Sequence, residues 1–80
     1  MARLIKASGE ILPNVDISTL KKQQDLVQGY IEYVYVSNDK MLIVNEEGLL
    51  EDLPDNRIAS QTYNLILVGD IVECKKNELT

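Results

Sequence analysis

The stretch Tyr30-Ile-Glu-Tyr-Val-Tyr-Val36 constrains this chain more than any other. Its β-branched and aromatic residues fit a pleated, half-buried surface far better than a helix. Ser37-Asn38-Asp39 reads as a turn, and Lys40-Met-Leu-Ile-Val-Asn45 as a second strand. Two such runs joined by a short loop fold back as an antiparallel hairpin. Eighty residues make one domain, 1–80, so the rest of the chain must assemble around that hairpin. Apolar residues form 45% of the sequence, enough for a packed core, but there is no Phe or Trp. A homo-oligomer is expected, because a second subunit can cover what so small a core leaves wet.

The flanking segments supply the other elements. Met1–Ala7 reads as a strand, Ser8-Gly9 as a turn, and Glu10–Val15 as a returning strand placed at a sheet edge by Pro13. One main helix is expected over about Ile17–Gln28. Asp16 is its N-cap, Val15 and Leu20 form a hydrophobic staple, and Leu20, Gln24 and Val27 make the buried stripe. Gly29 is expected to end it in the left-handed conformation. Asp55 or Asn56 can cap a short helix from Arg57 to about Gln61. Ile71–Cys74 is the last strand, followed by a polar tail. The expected fold is α+β: a small, mostly antiparallel sheet of five to six short strands with one main helix packed on one face.

Composition excludes more chemistry than it supports. With no histidine, the commonest general base and metal ligand is missing, and Ser-His and Cys-His nucleophile systems are impossible within one chain. One cysteine and no histidine argue against zinc, and no glycine pattern resembles a phosphate-binding loop. Glu46-Glu47 with Glu51-Asp52 lack the spacing of a calcium loop. No enzyme, cofactor or metal is therefore expected. A net charge of -5 argues against a duplex nucleic-acid surface, and the basic residues are scattered. Cys74 alone, with no leader pattern and no apolar run of membrane length, fits a protein of the cytoplasm without a membrane.

Three features keep two readings each. In Val44-Asn-Glu-Glu-Gly48, a type I turn with Gly48 left-handed explains Asn45 and Gly48, with Leu49-Leu50 continuing as a brief strand. The two glutamates are then left over as candidates for a ligand. Glu32 is either semi-buried against Arg57, if the helix covers its face, or exposed, if the helix covers the face of Ile31, Tyr33 and Tyr35. Tyr30, Tyr33, Tyr35 and Tyr63 can stack on bases or can stand in for the missing Phe in the core, and the second reading is favoured.

The segments "LVQGYIEYV", "LIVNEEGLLEDLPDNRIAS" and "VGDIV" together resemble a small family of unknown function encoded mainly by bacteriophages, plasmids and other mobile elements. The similarity runs from about Leu20 to Val72. It implies an accessory protein acting by binding in the cytoplasm of a bacterial host cell. It places a ligand or partner site on Tyr30, Glu32, Asn45, Glu46, Asn56 and Arg57, the polar and aromatic parts of the shared pattern. In one expectation the chain binds and modulates a bacterial host protein, which suits its acidity. In the alternative it is an oligomeric sponge for a nucleotide immune signal, with Arg57 on a phosphate and Asn45 or Asn56 on a base edge.

Overall fold

In the computed structural model, residues 2–79 are described. The hairpin forms as its sequence dictates, from β3 (Ile31–Tyr35) and β4 (Lys40–Asn45), with Tyr33 opposite Ile43. The first two strands, β1 (Arg3–Ile5) and β2 (Ile11–Pro13), make a second hairpin around Gly9, whose φ of 100° suits glycine. The last strand, β5 (Ile71–Lys75), lies between the hairpins and pairs with β1 on one side and β4 on the other. The result is one antiparallel five-stranded sheet in the order β2-β1-β5-β4-β3. A short 3-10 turn, Lys76–Leu79, follows β5.

Both faces of the sheet are covered. Helix α1 (Leu20–Val27) packs on the face carrying Leu4, Met41, Ile43, Val72 and Cys74. Helix α2 (Arg57–Tyr63) lies on the opposite face, over Ile5, Leu42, Val44 and Ile71. A strand buried on both faces reads as an unbroken apolar run, which is why Met41–Val44 shows no alternation. Glu73 is the buried exception within β5. Arg3 Nε donates to its Oε1 at 2.7 Å and the Tyr63 hydroxyl donates to its other oxygen, so its charge is matched where it stands.

Helix α1 departs from its expected limits for local reasons. Asp16 accepts from the Ser18 backbone N–H at 2.9 Å, which makes a turn instead of a cap. Thr19 caps the helix in its place, with Oγ1 accepting from Lys22 N–H at 3.2 Å. Leu20 is exposed, so the expected staple does not form, and of the expected stripe only Val27 is buried. The buried face is Gln23 and Val27. Gln23 donates to Ile17 O at 2.9 Å and accepts from the Tyr33 hydroxyl at 2.9 Å, leaving its amide satisfied. The left-handed residue is Gln28, with φ of 65°, and not Gly29. Gly29 is required for space: a Cβ there would stand 2.7 Å from Asn45 Nδ2.

Two further corrections concern the segment after β4. Gly48 does not have a positive φ, and Leu49-Leu50 is not a strand. Residues 46–52 form consecutive turns, held by Gly48 N–H to Asn45 O at 3.2 Å and Leu53 N–H to Gly48 O at 3.0 Å. Gly48 is confined because a Cβ would meet Val68 Cγ2 at 2.8 Å. Cys74 is buried, and that burial, with Glu78 and Glu73 nearby, pushes its thiol up to about 11. The thiol is therefore protonated and unreactive at neutral pH. No helix among the described residues is long and apolar enough to cross a membrane.

Candidate functional site

The six candidate residues do not converge on one point. Asn56 is wholly buried as the N-cap of α2. Its Nδ2 donates to Ile5 O at 2.8 Å and Gly69 O at 2.9 Å, and its Oδ1 accepts from Ala59 N–H at 3.1 Å. It ties the sheet, the loop before β5 and α2 together, and its side chain is out of reach of any solvent-borne ligand. Asn45 is buried too. Its Nδ2 donates to Val27 O at 3.1 Å, and its Oδ1 accepts from Glu47 N–H at 2.8 Å. That amide joins the end of α1 to the start of the turn, so neither asparagine offers an edge to a base.

The other four stay at the surface but in different places. Glu32 is exposed at the β3 edge of the sheet; it lies on the face opposite α1, with Val34 and Val44, where the side chain is not covered. Arg57 does not pair with it. Arg57 stands in hollows shared with Asp55, Ser60 and Gln61 or with residues 7–9. Tyr30 lines a cleft of about 370 Å³ beside Gln24, Gln28, Glu47 and Glu51. Glu46 and Glu32 line a second hollow, a groove of about 410 Å³.

That groove is apolar, and sequence reasoning missed most of it. Its floor is Val34 and Val44 on β3 and β4; its walls are Leu49 and Leu50 from one loop and Ile66, Leu67 and Val68 from another. Leu50 and Ile66 are 85% and 86% exposed. Large apolar side chains held that far into water, close together around a concavity, mark an interaction surface. The readable signal was a Leu-Leu pair enclosed by acids, Glu46-Glu47 before it and Glu51-Asp52 after it.

Charge concentrates in the segment that supplies one wall of the groove. Residues 41–56 carry five acids (Glu46, Glu47, Glu51, Asp52 and Asp55) and no base. The other eight acids balance the eight Lys and Arg, so the whole net charge of -5 lies in this one stretch. No ion pair among the described residues neutralises Glu32, Glu46, Glu47, Glu51 or Asp52, whereas Lys6, Lys21, Lys22 and Arg3 all have carboxylate partners elsewhere. No group of three or more His, Cys, Asp or Glu among the described residues is arranged to hold a metal ion.

Residues 1–79 match a described family, a domain of unknown function termed DUF3846. The chain belongs to that family. No curated protein and no solved structure matches it. In this DUF3846 domain the apolar groove, with Glu32 and Glu46 on its lining, is a surface feature that the fold itself does not use.

Proposed function

We propose that this DUF3846 domain is a non-catalytic binding module, carried by a bacteriophage or other mobile element, which holds and modulates a protein of the bacterial host in its cytoplasm. The observation that carries the reading is the groove. Leu49, Leu50 and Ile66 flank it in high exposure, Glu32 and Glu46 line it, and one of its walls comes from the segment that carries the chain's net charge. Its matching occupant is a protein segment with one or two apolar side chains flanked by Lys or Arg. The apolar residues supply the contact energy and the opposite charges supply orientation and speed of encounter. A chain without histidine, whose thiol is protonated by burial, is suited to holding a partner and poorly equipped for proton or acyl transfer.

The test is capture from bacterial lysate at low salt, followed by affinity measurement on the purified pair. Leu50→Asp and Ile66→Asp should each weaken binding at least about tenfold, the usual effect of removing an interface anchor. Raising salt to 1 M should slow association, because exposed charges are then screened within about 3 Å. A partner bound equally well by both variants, or no groove-dependent partner at all, overturns the reading.

A further inference from the structure

The sheet has two edges, and only one is guarded. At one side β2 is three residues long and ends in Pro13, which has no N–H to offer. At the other side β3 is five residues long, without proline, bulge or lysine. Its bonded pairs with β4 are marked by Glu46 N–H to Tyr30 O at 2.8 Å and Val36 N–H to Lys40 O at 3.2 Å. Antiparallel pairing alternates, so Glu32 and Val34 also bond toward β4, and the N–H and C=O groups of Ile31, Tyr33 and Tyr35 point away from the sheet. No other backbone or side chain among the described residues takes up these groups.

We infer that β3 pairs with β3 of a second copy of this chain, antiparallel and centred on Tyr33, to make one continuous sheet across a two-fold dimer. Three observations select this occupant and this register. First, centring on Tyr33 uses all three outward residues. On the α1 face it sets Tyr33 against the partner's Tyr33 and Tyr35 against the partner's Ile31. Aromatic and β-branched cross-strand pairs of this kind stabilise sheets. In the single chain Tyr35 is 62% exposed. Second, the same register sets Glu32 against the partner's Val34. Centring on Glu32 instead would oppose two carboxylates directly, which is unfavourable. Third, the hairpin is polarised along its length. Glu46 and Glu47 stand at its Ile31 end, while Lys40, Lys75 and Lys76 outnumber Asp39 at its Tyr35 end, Lys76 Nζ lying 4.9 Å from the Tyr35 ring centroid. The two-fold brings the acidic end of each copy alongside the basic end of the other. Tyr33 is already held by its hydroxyl bond to Gln23, so pairing costs little ordering of that ring.

This interface uses the backbone edge of β3. Glu32 and Val34 border both it and the groove, whereas Leu50 and Ile66 line the groove and not the edge, so Leu50→Asp and Ile66→Asp test the host-protein reading and the β3 amides test this one. The test is native mass spectrometry with backbone amide hydrogen exchange on the full chain at several concentrations. The expected result is a species of twice the monomer mass. With it, the amides of Ile31, Tyr33 and Tyr35 should be slowed about tenfold or more, and that protection lost on dilution. Glu32 and Val34 should be protected at every concentration, because their partner is β4. Tyr35→Pro removes one outward donor from each copy without touching a bond to β4 and should yield a monomer. If that variant fails to fold, the alternating exchange pattern of the unmodified chain decides alone. A chain that is monomeric at about millimolar concentration overturns the inference. So does a dimer in which Ile31, Tyr33 and Tyr35 exchange freely, or a folded Tyr35→Pro that still dimerises.

Discussion

The corners held by Asn45 and Asn56 and the loop between them make opposite uses of their residues. At the corners, polar side chains are buried and every amide group is engaged within the chain. In the loop, Leu49 and Leu50 are exposed and the carboxylates have no counter-ion among the described residues. A polar residue taken inside must have its hydrogen bonds met by the fold, so it becomes a structural tie. An apolar residue left in water gains nothing for the isolated chain. The difference teaches that in this domain a polar type was a poor guide to function and an exposed apolar one a better guide. It also explains how a segment of consecutive turns keeps its shape: it is fastened at both ends by buried amides.

The sharpest way to break this comparison is Asn56→Ala. It removes the α2 cap and strands Ile5 O and Gly69 O in the interior, and should cost about 4 kcal/mol in urea unfolding. A loss below about 1 kcal/mol would mean that water replaces the amide and that the corner is not a tie. Asn45→Ala should cost about 2 kcal/mol, since it makes fewer short bonds. Gly29→Ala pushes a methyl into that same amide, so its effect should be largely absent in an Asn45→Ala background. Additive costs in that double-mutant cycle would separate the two sites. Leu50→Asp and Ile66→Asp should shift stability by no more than about 0.5 kcal/mol in the isolated chain, since both side chains are already in water.

The smallest effect concerns acid. Hydrogen bonds from Lys22 and Ser18 hold the Asp16 carboxyl below the usual carboxylate range. A depressed folded-state pKa contributes stability that is fully present above the ordinary value of 3.8 and is lost as pH falls toward the folded value. Asp16→Asn should therefore melt slightly lower than the unmodified chain at pH 6, and the gap should narrow below about pH 4. A gap that stays constant with pH would assign the effect to the turn geometry and not to the charge.

Local pattern carried the elements that close on themselves. The two hairpins, a short helix capped at Asp55 or Asn56 and the presence of a turn at 45–48, though not the backbone of Gly48, were legible, because turn chemistry, capping and strand propensity act within a few residues. The limits of α1 were not. Asp16, Ser18 and Thr19 all compete for the same backbone N–H groups, and only the burial of Ile17, Gln23 and Val27 against the sheet decides among them. The candidate site was legible only at its rim. Glu32 and Glu46 stand on the groove, but Leu49, Leu50 and Ile66 come from two loops 15 or more residues apart in the chain, and nothing local places them together.

By itself the sequence determined the class of fold, the absence of histidine chemistry and the confinement of all net charge to residues 41–56. Each of these is a property of composition or of near neighbours. Tertiary structure alone decided that β5 lies between the hairpins, that β3 is left as an unguarded edge, and that two asparagines belong to the interior. The physical reason is that strand order and burial are set by which distant surfaces exclude water together, a quantity that no short stretch of chain contains.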